Sequence, residues 1–238
     1  MQHFISDLHL NPTQPETAKA FVAYLQGPAK QAQTLWILGD LFEYWTGDED
    51  IAHPFHTEMV AAIAALSATG TQVRVVVGNR DFLMGQAFAK AAGAELVAEP
   101  ICIDLYGKRT VLLHGDILCT DDVAYQQFRA MVRNPAWQTQ FLAQPVAVRH
   151  KLAAELRAKS EMGKQEKASK IMDVNAAAVE ACFKTHNTNL MIHGHTHRPA
   201  THQVNVDGQS CERWVLSDWH GKATWLEASE QGLQTRTL

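Results

Sequence analysis

The sequence predicts an α/β (α+β) fold in four layers, two sheets flanked by helices, with a helical insertion. Helical and strand patterns alternate from the first residues to about residue 113, and helical patterns alone follow until about residue 190. The remaining residues return to strand patterns. Alternating elements indicate a sheet covered by helices, and a terminal run of strands indicates a second sheet. We therefore expect a core of residues 1–120 and 186–238 and a helical cap of residues 121–185.

Helices are predicted where apolar residues recur every three or four positions. Phe21 and Leu25 share such a face, as do Met59 and Ile63. Helix boundaries follow from Pro in a first turn, Gly after a last turn and Asp at an N-cap. These signals predict helices over residues 17–25, from Pro54 to about Leu66, over residues 85–92 closed by Gly93, and after Asp121 and Asp122.

Strands are predicted from short apolar runs that end in Gly or polar residues. Residues 35–38 and 73–77 have the unbroken apolar pattern of strands that are buried on both faces. Gly107-Lys108 and Asp207-Gly208 mark hairpin turns. The predicted strands cover residues 1–5, 35–38 and 73–77, a hairpin over 101–113, and residues 190–192, 204–206, 214–216 and 223–227, with a last strand after Gly232.

Five of these apolar runs share one kind of ending, because each leads into Asp, Asn or His. In α/β proteins the carboxyl ends of strands carry the functional side chains. Packing alone hardly explains five ends with metal-ligand residue types, so we predict a metal site with Asp40 as its central carboxylate. The runs are FISDLHL with Asp7 and His9, LWILGD with Asp40, VRVVVGN with Asn79, TVLLHGD with His114, and LMIHGHTH with His195 and His197.

Composition limits the partners and the compartment. The chain of 238 residues has a net charge of −4 and a pI near 6.3, which gives no general sign of nucleic-acid binding. Its four cysteines lie far apart and form no CxxC pair, so we expect free thiols in a reducing compartment. Because a strand is predicted within the first residues, we expect no signal peptide, and the longest apolar run, near residues 60–66, is too short to span a bilayer.

The residues that follow Asp40 carry charge and aromatic side chains. Asp48, Glu49 and Asp50 form an acidic run that we interpret as a solvated turn rather than as metal ligands. Aromatic residues beside a sheet are more often packed than ligand-binding, so we assign no role to Phe42, Tyr44 and Trp45.

The spacing of the paired ligands suits one ion. Residues i and i+2 of extended backbone point the same way, so Asp7 and His9 can reach one metal. An isolated Asp-x-His pair is more often a turn Asp beside a surface His. That alternative stays open when Asp7 and His9 are considered without the other predicted ligands. The cluster at His193, His195 and His197 is harder to explain as packing, because three histidines within five residues cannot all be buried at low cost.

The seven predicted ligands are too many for one ion, and two ions that share Asp40 fit their number. We expect the ions about 3.5 to 4 Å apart. Paired ions of this kind activate water and hold a phosphoryl group for in-line attack. Oxygen and imidazole ligands suit Mn, Fe or Zn, and their types do not choose among these metals. We place Asp7, His9, Asp40 and His197 on one ion, and Asp40, Asn79, His114 and His195 on the other.

The predicted insertion is locally basic. Residues 149–170 hold seven Lys or Arg and three Glu, a local excess of four positive charges in a chain of net charge −4. One interpretation is the solvated face of a helix. The other is a cap over the site that offers cations to phosphate.

The motifs DxH, GD, GNRD, HGD and GHTH occur in the order found in the calcineurin-like metallophosphoesterases, and the chain resembles that family over nearly its whole length. GDLFEYW, GNRDFLMG, HGDILCTDD, the IMDVN at residues 171–175 and HGHTHRP resemble one branch of it, the bacterial UDP-2,3-diacylglucosamine diphosphatases of lipid A synthesis. This resemblance implies water attack on the α-phosphorus of UDP-2,3-diacylglucosamine, which releases UMP and 2,3-diacylglucosamine 1-phosphate.

The same resemblance implies two Mn²⁺ ions per chain and a helical cap that encloses acyl chains. It also implies a cytoplasmic enzyme that contacts lipid peripherally at the inner membrane. We expect a monomer that binds this lipid-linked nucleotide sugar and no nucleic acid. Catalytic roles are assigned to Asn79, Arg80 and His195. The implied substrate contacts are Asn79, Arg80, Asp122, Ser160, Lys164, Lys167 and His195.

Arg80 favours a diphosphate substrate on chemical grounds. Many phosphoesterases of this superfamily have His at this position, which can protonate an alkoxide leaving group, whereas a guanidinium stays protonated and cannot serve as that acid. A phosphate monoester has a second pKa near 6 and leaves without a proton. Two alternatives remain: another dinuclear phosphoesterase, such as a nucleotide phosphodiesterase or a nuclease, and a non-catalytic binding scaffold of the same fold.

Overall fold

The structure is a computed structural model that describes residues 1–166 and 173–238, with side chains outside residues 159–166. Its strands are β1 Gln2–Ile5, β2 Thr34–Leu38, β3 Gln72–Val76, β4 Ala94–Leu96, β5 Ile101–Leu105, β6 Lys108–Leu112, β7 Leu190–His193, β8 Ala200–Val206, β9 Gln209–Val215, β10 Thr224–Ser229 and β11 Gly232–Thr237. Its α-helices are α1 Pro15–Gln26, α2 Pro54–Ser67, α3 Gln86–Ala92, α4 Val123–Val132, α5 Pro135–Leu142, α6 Val146–Glu166 and α7 Ala176–His186.

The strands form two mixed sheets. The first has the order β11-β10-β1-β2-β3-β4, with β1 to β4 mutually parallel and β10 antiparallel to β1. The second has the order β5-β6-β7-β9-β8, in which β6, β7 and β9 are parallel. Because parallel neighbours end at the same edge, the carboxyl ends of β1, β2 and β3 lie side by side, and so do those of β6 and β7.

Three apolar clusters hold the layers together and confirm the predicted sandwich. Between the sheets, Phe4 and Trp36 stack with ring centroids 6.5 Å apart and pack with apolar residues of the second sheet. On the outer face of the first sheet, side chains of α1, α2 and α3 complete a second cluster. Val179 and Phe183 of α7 cover the outer face of the second sheet. The result is four layers, helix, sheet, sheet and helix.

The helix α7 lies at the end of the range predicted to be the cap. Its packing on the second sheet makes it part of the sandwich, so α4, α5 and α6 are the helices that cover the site. These three helices form the cap. Asp122 caps α4 as predicted, since its carboxylate accepts a hydrogen bond from the Tyr125 N–H at 3.1 Å.

The acidic turn after Asp40 is not the solvated turn that the sequence predicts. Asp50 is 3% exposed and accepts hydrogen bonds from the Thr46 N–H and from the imidazole of His150 on α6, each at 2.6 Å. Asp48 accepts hydrogen bonds from three backbone N–H groups at the start of α3. Glu49 alone is mainly exposed. The interpretation was wrong for Asp48 and Asp50, because backbone donors and the cap surround them.

The cap is joined to the sandwich through Arg149. Its guanidinium is 2% exposed, donates to the Thr46 carbonyl and forms an ion pair with Glu49 at 3.0 Å. Nearby, the rings of Trp137 and Phe141 on α5 stack with centroids 4.9 Å apart and join the core cluster of the first sheet. These contacts fix the cap beside the strand ends. No described helix is long and apolar enough to cross a membrane.

Candidate active site

The seven predicted ligands meet where the two sheets bring their strand ends together. Asp7 and His9 follow β1, Asp40 follows β2, Asn79 follows β3, His114 follows β6, and His195 and His197 follow β7. Strand order, rather than sequence separation, therefore brings these side chains together. Their nitrogen and oxygen atoms form two neighbouring groups.

The first group contains Asp7, His9 and His197. The Nε2 atoms of His9 and His197 lie 3.2 Å apart, and His197 Nε2 lies 3.5 Å from Asp7 Oδ1. Asp40 Oδ2 approaches His9 Nε2 at 3.8 Å. This is the set that the sequence assigns to one ion.

The second group contains Asn79, His114 and His195. His114 Nε2 lies 2.9 Å from Asn79 Oδ1 and 3.2 Å from His195 Nδ1. Asp40 Oδ1 approaches His114 Nε2 at 3.6 Å. Each carboxylate oxygen of Asp40 thus faces a different group, which is the arrangement that a bridging ligand requires.

Asp7 is more central than the sequence suggests. Its carboxylate joins His9 and His197 in one cluster of possible ligand atoms, and Asp40 and His114 in another, with all atoms of each cluster within 4.8 Å of one another. Asp7 and Asp40 are both almost fully buried. Both carboxylates therefore lie within reach of ligands of both groups.

The donor set fits divalent cations. Asp7 Oδ1 is buried and accepts no hydrogen bond from the described residues, although His197 Nε2 approaches it at 3.5 Å, and a carboxylate oxygen without a hydrogen bond is costly to bury. Two imidazole Nε2 atoms at 3.2 Å satisfy each other only when one is protonated, whereas a cation satisfies both lone pairs. Carboxylate, amide oxygen and imidazole together suit Mn, Fe or Zn.

The pKa values of the site follow from burial and from the neighbouring charges. Burial lowers the pKa of His9 to about 4 and that of His195 to about 4, which keeps both rings in the neutral form that binds metals. Burial also acts to lower the pKa of His114, but the charges of Asp40 and Asp7 raise it overall to about 9. In the ligand-free protein His114 therefore compensates negative charge that a bound cation would compensate instead.

Five of the predicted ligand residues have a strained backbone conformation. Asp7, His9, Asp40, His195 and His197 all have positive φ, between 49° and 70°, a region that non-glycine residues seldom adopt. Such strain persists only where the surroundings fix it, and it concentrates at functional sites.

Two glycines allow the loops to approach this closely. A Cβ atom on Gly78 would collide with the carboxylate of Asp40, and one on Gly194 would collide with that of Asp7. The Gly-Asn and Gly-His pairs of the motifs are thus required by close approach of the backbone to the carboxylates.

Asp81 holds two of the loops in register. Its carboxylate accepts hydrogen bonds from the N–H groups of Gly78 at 2.7 Å and Leu41 at 2.8 Å. Burial, and after it the charge of Asp40, raise the pKa of Asp81 to about 6. Asp81 thus orients the loops that follow β2 and β3, which carry Asp40 and Asn79.

Arg80 lies at the mouth of the second group. Its backbone N–H donates to Asp40 Oδ1 at 2.8 Å, and its Nη1 lies 3.9 Å from Glu43 Oε1. Glu43 also pairs with Arg157 of α6 and lies 3.5 Å from His9 Nδ1. Glu43 and Arg157 are not among the predicted site residues, although the position of Glu43, three residues after Asp40, is a signal for it.

A cavity of about 600 Å³ extends from the ligand groups to the cap. Its polar end includes Asn79, Arg80 and His195, and its other end is lined mainly by aromatic and aliphatic side chains. These apolar residues include Trp45, Phe82, Leu83, Phe128, Trp137, Phe141 and Leu156.

The predicted substrate contacts are described only in part. Asp122 lines the cavity, as do Asn79, Arg80 and His195. Ser160 and Lys164 belong to α6, but their side chains are not described, and Lys167 lies outside the described residues. Of the residues first left without a role, Phe42 is buried in the core, while Tyr44 and Trp45 line the cavity.

Comparison with known proteins finds a family and relatives that match nearly the whole chain. Residues 3–199 match the sequence model of the family described as calcineurin-like phosphoesterase. A UDP-2,3-diacylglucosamine hydrolase of Aromatoleum aromaticum is 55% identical over 94% of this chain and 91% of its own length. Enzymes with the same name from Cellvibrio japonicus and Serratia proteamaculans are 47% and 46% identical, over 98% and 97% of this chain and 97% and 96% of their own lengths.

Proposed function

The chain belongs to the calcineurin-like phosphoesterase family, and we propose that it is a UDP-2,3-diacylglucosamine hydrolase of lipid A synthesis. Water attacks the α-phosphorus, a new P–O bond forms, and the bond from that phosphorus to the bridging oxygen breaks. UMP and 2,3-diacylglucosamine 1-phosphate are the products. The relatives that carry this name match over nearly their whole length, and they support the choice of substrate.

The observation that carries the proposal is the cavity that joins a polar site to an apolar chamber. A substrate with a diphosphate at one end and acyl chains at the other matches this division. The diphosphate would lie beside Asn79, Arg80 and His195, and acyl carbons would lie against Phe128 and Trp137 of the cap. A substrate without acyl chains leaves this apolar lining without a function.

Two divalent cations, Mn²⁺ in our proposal, would be held by the two ligand groups. Asp7, His9, Asp40 and His197 would hold one ion, and Asp40, Asn79, His114 and His195 the other. When bound, such a pair supplies an activated water and neutralises negative charge on the attacked phosphoryl group.

The remaining chemistry belongs to side chains of this chain. Arg80 is a permanent cation that can stabilise charge as it develops on the phosphoryl oxygens, and it cannot donate its proton. The sugar phosphate leaves as an anion without needing an acid. Asn79 and His195 would orient the attacked phosphate, and Asp122 would contact the head group. Ser160, Lys164 and Lys167 are proposed to complete the substrate contacts from the cap.

The proposed setting is the cytoplasmic face of the inner membrane, where the chain would touch lipid peripherally. Helices α4 and α5 of the cap carry exposed apolar side chains, namely Val123, Met131 and Leu142, which are suited to such contact. All seven ligand positions come from one chain, so we propose a monomer, and the net charge of −4 gives no reason to expect nucleic acid.

Removal of the acyl chains should greatly lower activity. Each buried methylene contributes about 0.8 kcal/mol, so four methylenes amount to about 3 kcal/mol, or more than about 100-fold in kcat/KM. UMP release should therefore be far less efficient from UDP-glucosamine than from UDP-2,3-diacylglucosamine. Trp137→Gln should reduce the difference in kcat/KM between the two substrates, because the indole ring lines the cavity.

Val148→Gln is the matched control, because Val148 lies on the same cap and its side chain is 42% exposed. This variant should leave the difference in kcat/KM between the two substrates unchanged. Equal kcat/KM for the two substrates in the wild type would exclude the lipid chamber. Higher activity on a dinucleotide diphosphate would instead favour a nucleotide phosphodiesterase that uses the same ligand groups.

A further inference from the structure

His197 is the most loosely covered of the four histidines that converge on the site, with a side chain that is 37% exposed. Its Nε2 atom faces Asp7 Oδ1 at 3.5 Å and His9 Nε2 at 3.2 Å. Its other ring nitrogen, Nδ1, lies 3.0 Å from Oδ2 of Asp218. The ring is thus held between the ligand group and a carboxylate that belongs to neither group.

The loop that carries Asp218 is anchored by the residue that follows it. The next residue, Trp219, donates its backbone N–H to the Asp7 carbonyl at 3.2 Å, and its side chain is 1% exposed. The indole packs edge-on against Phe21 and Tyr24 of α1, with centroids 6.1 and 5.6 Å away. The backbone of Asp218 is therefore fixed to the same strand end that presents Asp7.

A carboxylate at Nδ1 decides how the imidazole is used. It accepts the Nδ1–H proton, so the lone pair is left on Nε2, and it fixes the orientation of the ring. The charge of the carboxylate also makes Nε2 a stronger ligand. His114 differs in this respect, because its Nδ1 faces the carbonyl of Leu38 at 2.9 Å, an uncharged acceptor.

We infer that Asp218 is a positioning residue that holds His197 for the ion bound by Asp7, His9 and His197. The inference rests on the proposed function, since it presupposes an ion at that group. Asp218 would strengthen the binding of this one ion and would not contact the substrate. His114 and the second group depend on other contacts, so the two ion positions should respond differently to loss of Asp218.

Titration of metal-free protein with Mn²⁺ alone tests this assignment, with free Mn²⁺ followed by its electron paramagnetic resonance signal. The wild type should bind two ions per chain. Asp218→Asn keeps the size of the side chain and loses its charge, and it should weaken one ion roughly 10- to 100-fold, the usual effect of losing such a partner. The other ion should change less than about threefold, and Asp218→Glu should restore part of the loss.

Glu180→Gln is the matched control, because it makes the same carboxylate-to-amide change in an ion pair with Lys184 on α7, away from the site. Two dissociation constants equal to those of the wild type in Asp218→Asn would overturn the inference. So would equal weakening of both ions together with a lower melting temperature of the metal-free variant, since that pattern marks a structural role. A wild type that binds no Mn²⁺ would overturn the proposed metal centre itself.

Discussion

Asp40→Ala is expected to remove hydrolysis and both ions. Asp40 presents one carboxylate oxygen 3.8 Å from His9 Nε2 and the other 3.6 Å from His114 Nε2. Loss of the side chain therefore deprives both ion positions of a ligand and removes a buried negative charge that compensates the cations. Activity should fall to background, and metal content measured by mass spectrometry should fall toward zero per chain.

Two other variants make this result specific. Asp40→Asn keeps an oxygen that can accept the hydrogen bond from the Arg80 N–H, but it loses the negative charge. This variant should also lose metal, because the charge is needed to hold both cations. His9→Ala removes a ligand that we assign to one ion and should retain the other. Two ions retained by Asp40→Ala would contradict the bridging role and would point to Asp7, which also lies near both groups.

Arg80→Ala is expected to lower kcat roughly 10²- to 10³-fold, since loss of one preorganised donor to a developing oxyanion costs about 2.7 to 4 kcal/mol. We propose that the guanidinium acts mainly on the transition state, so kcat should fall with little change in KM. Metal content should stay at the wild-type value, because Arg80 reaches Asp40 through its backbone N–H, which the variant keeps.

Arg80→Lys provides the comparison for this effect. It keeps the positive charge and loses the planar fork that can bind two phosphoryl oxygens, so its kcat should lie between those of Arg80→Ala and the wild type. A wild-type kcat with a raised KM in Arg80→Ala would show that Arg80 only tethers the substrate.

The strand ends could be predicted because two local signals coincide there. An unbroken apolar run such as that of β2, which is buried along its whole length, predicts a central strand, and a following Gly with Asp, Asn or His predicts the ligand. Parallel pairing then brings β1, β2 and β3 to a common edge. Most predicted elements lie within a few residues of the observed ones for the same reason.

Contacts between distant segments could not be predicted. Asp50 looks like a surface turn in the sequence and is buried because His150 of α6 packs on it. Glu43 lies within the GDLFEYW motif and Asp218 lies in none of the motifs, but neither position reveals its partner, because they face His9 and His197 only after the sheets have formed. The short strand β4 was missed because its three residues are too few for a periodic pattern.

The helix α7 shows a related limit. Its sequence has the same helical character as the cap, and only its packing through Val179 and Phe183 assigns it to the second sheet. Helical periodicity identifies a buried face but does not identify the surface that buries it.

The most direct test of the account is hydrolysis of UDP-2,3-diacylglucosamine in ¹⁸O-labelled water by the wild-type protein, with mass analysis of both products. We predict one ¹⁸O atom in UMP and none in 2,3-diacylglucosamine 1-phosphate. Product formation should stop after chelation of divalent metal and return on addition of Mn²⁺. Label in the sugar phosphate would contradict attack at the α-phosphorus, and undiminished hydrolysis by chelator-treated, metal-free protein would contradict the metal-dependent site.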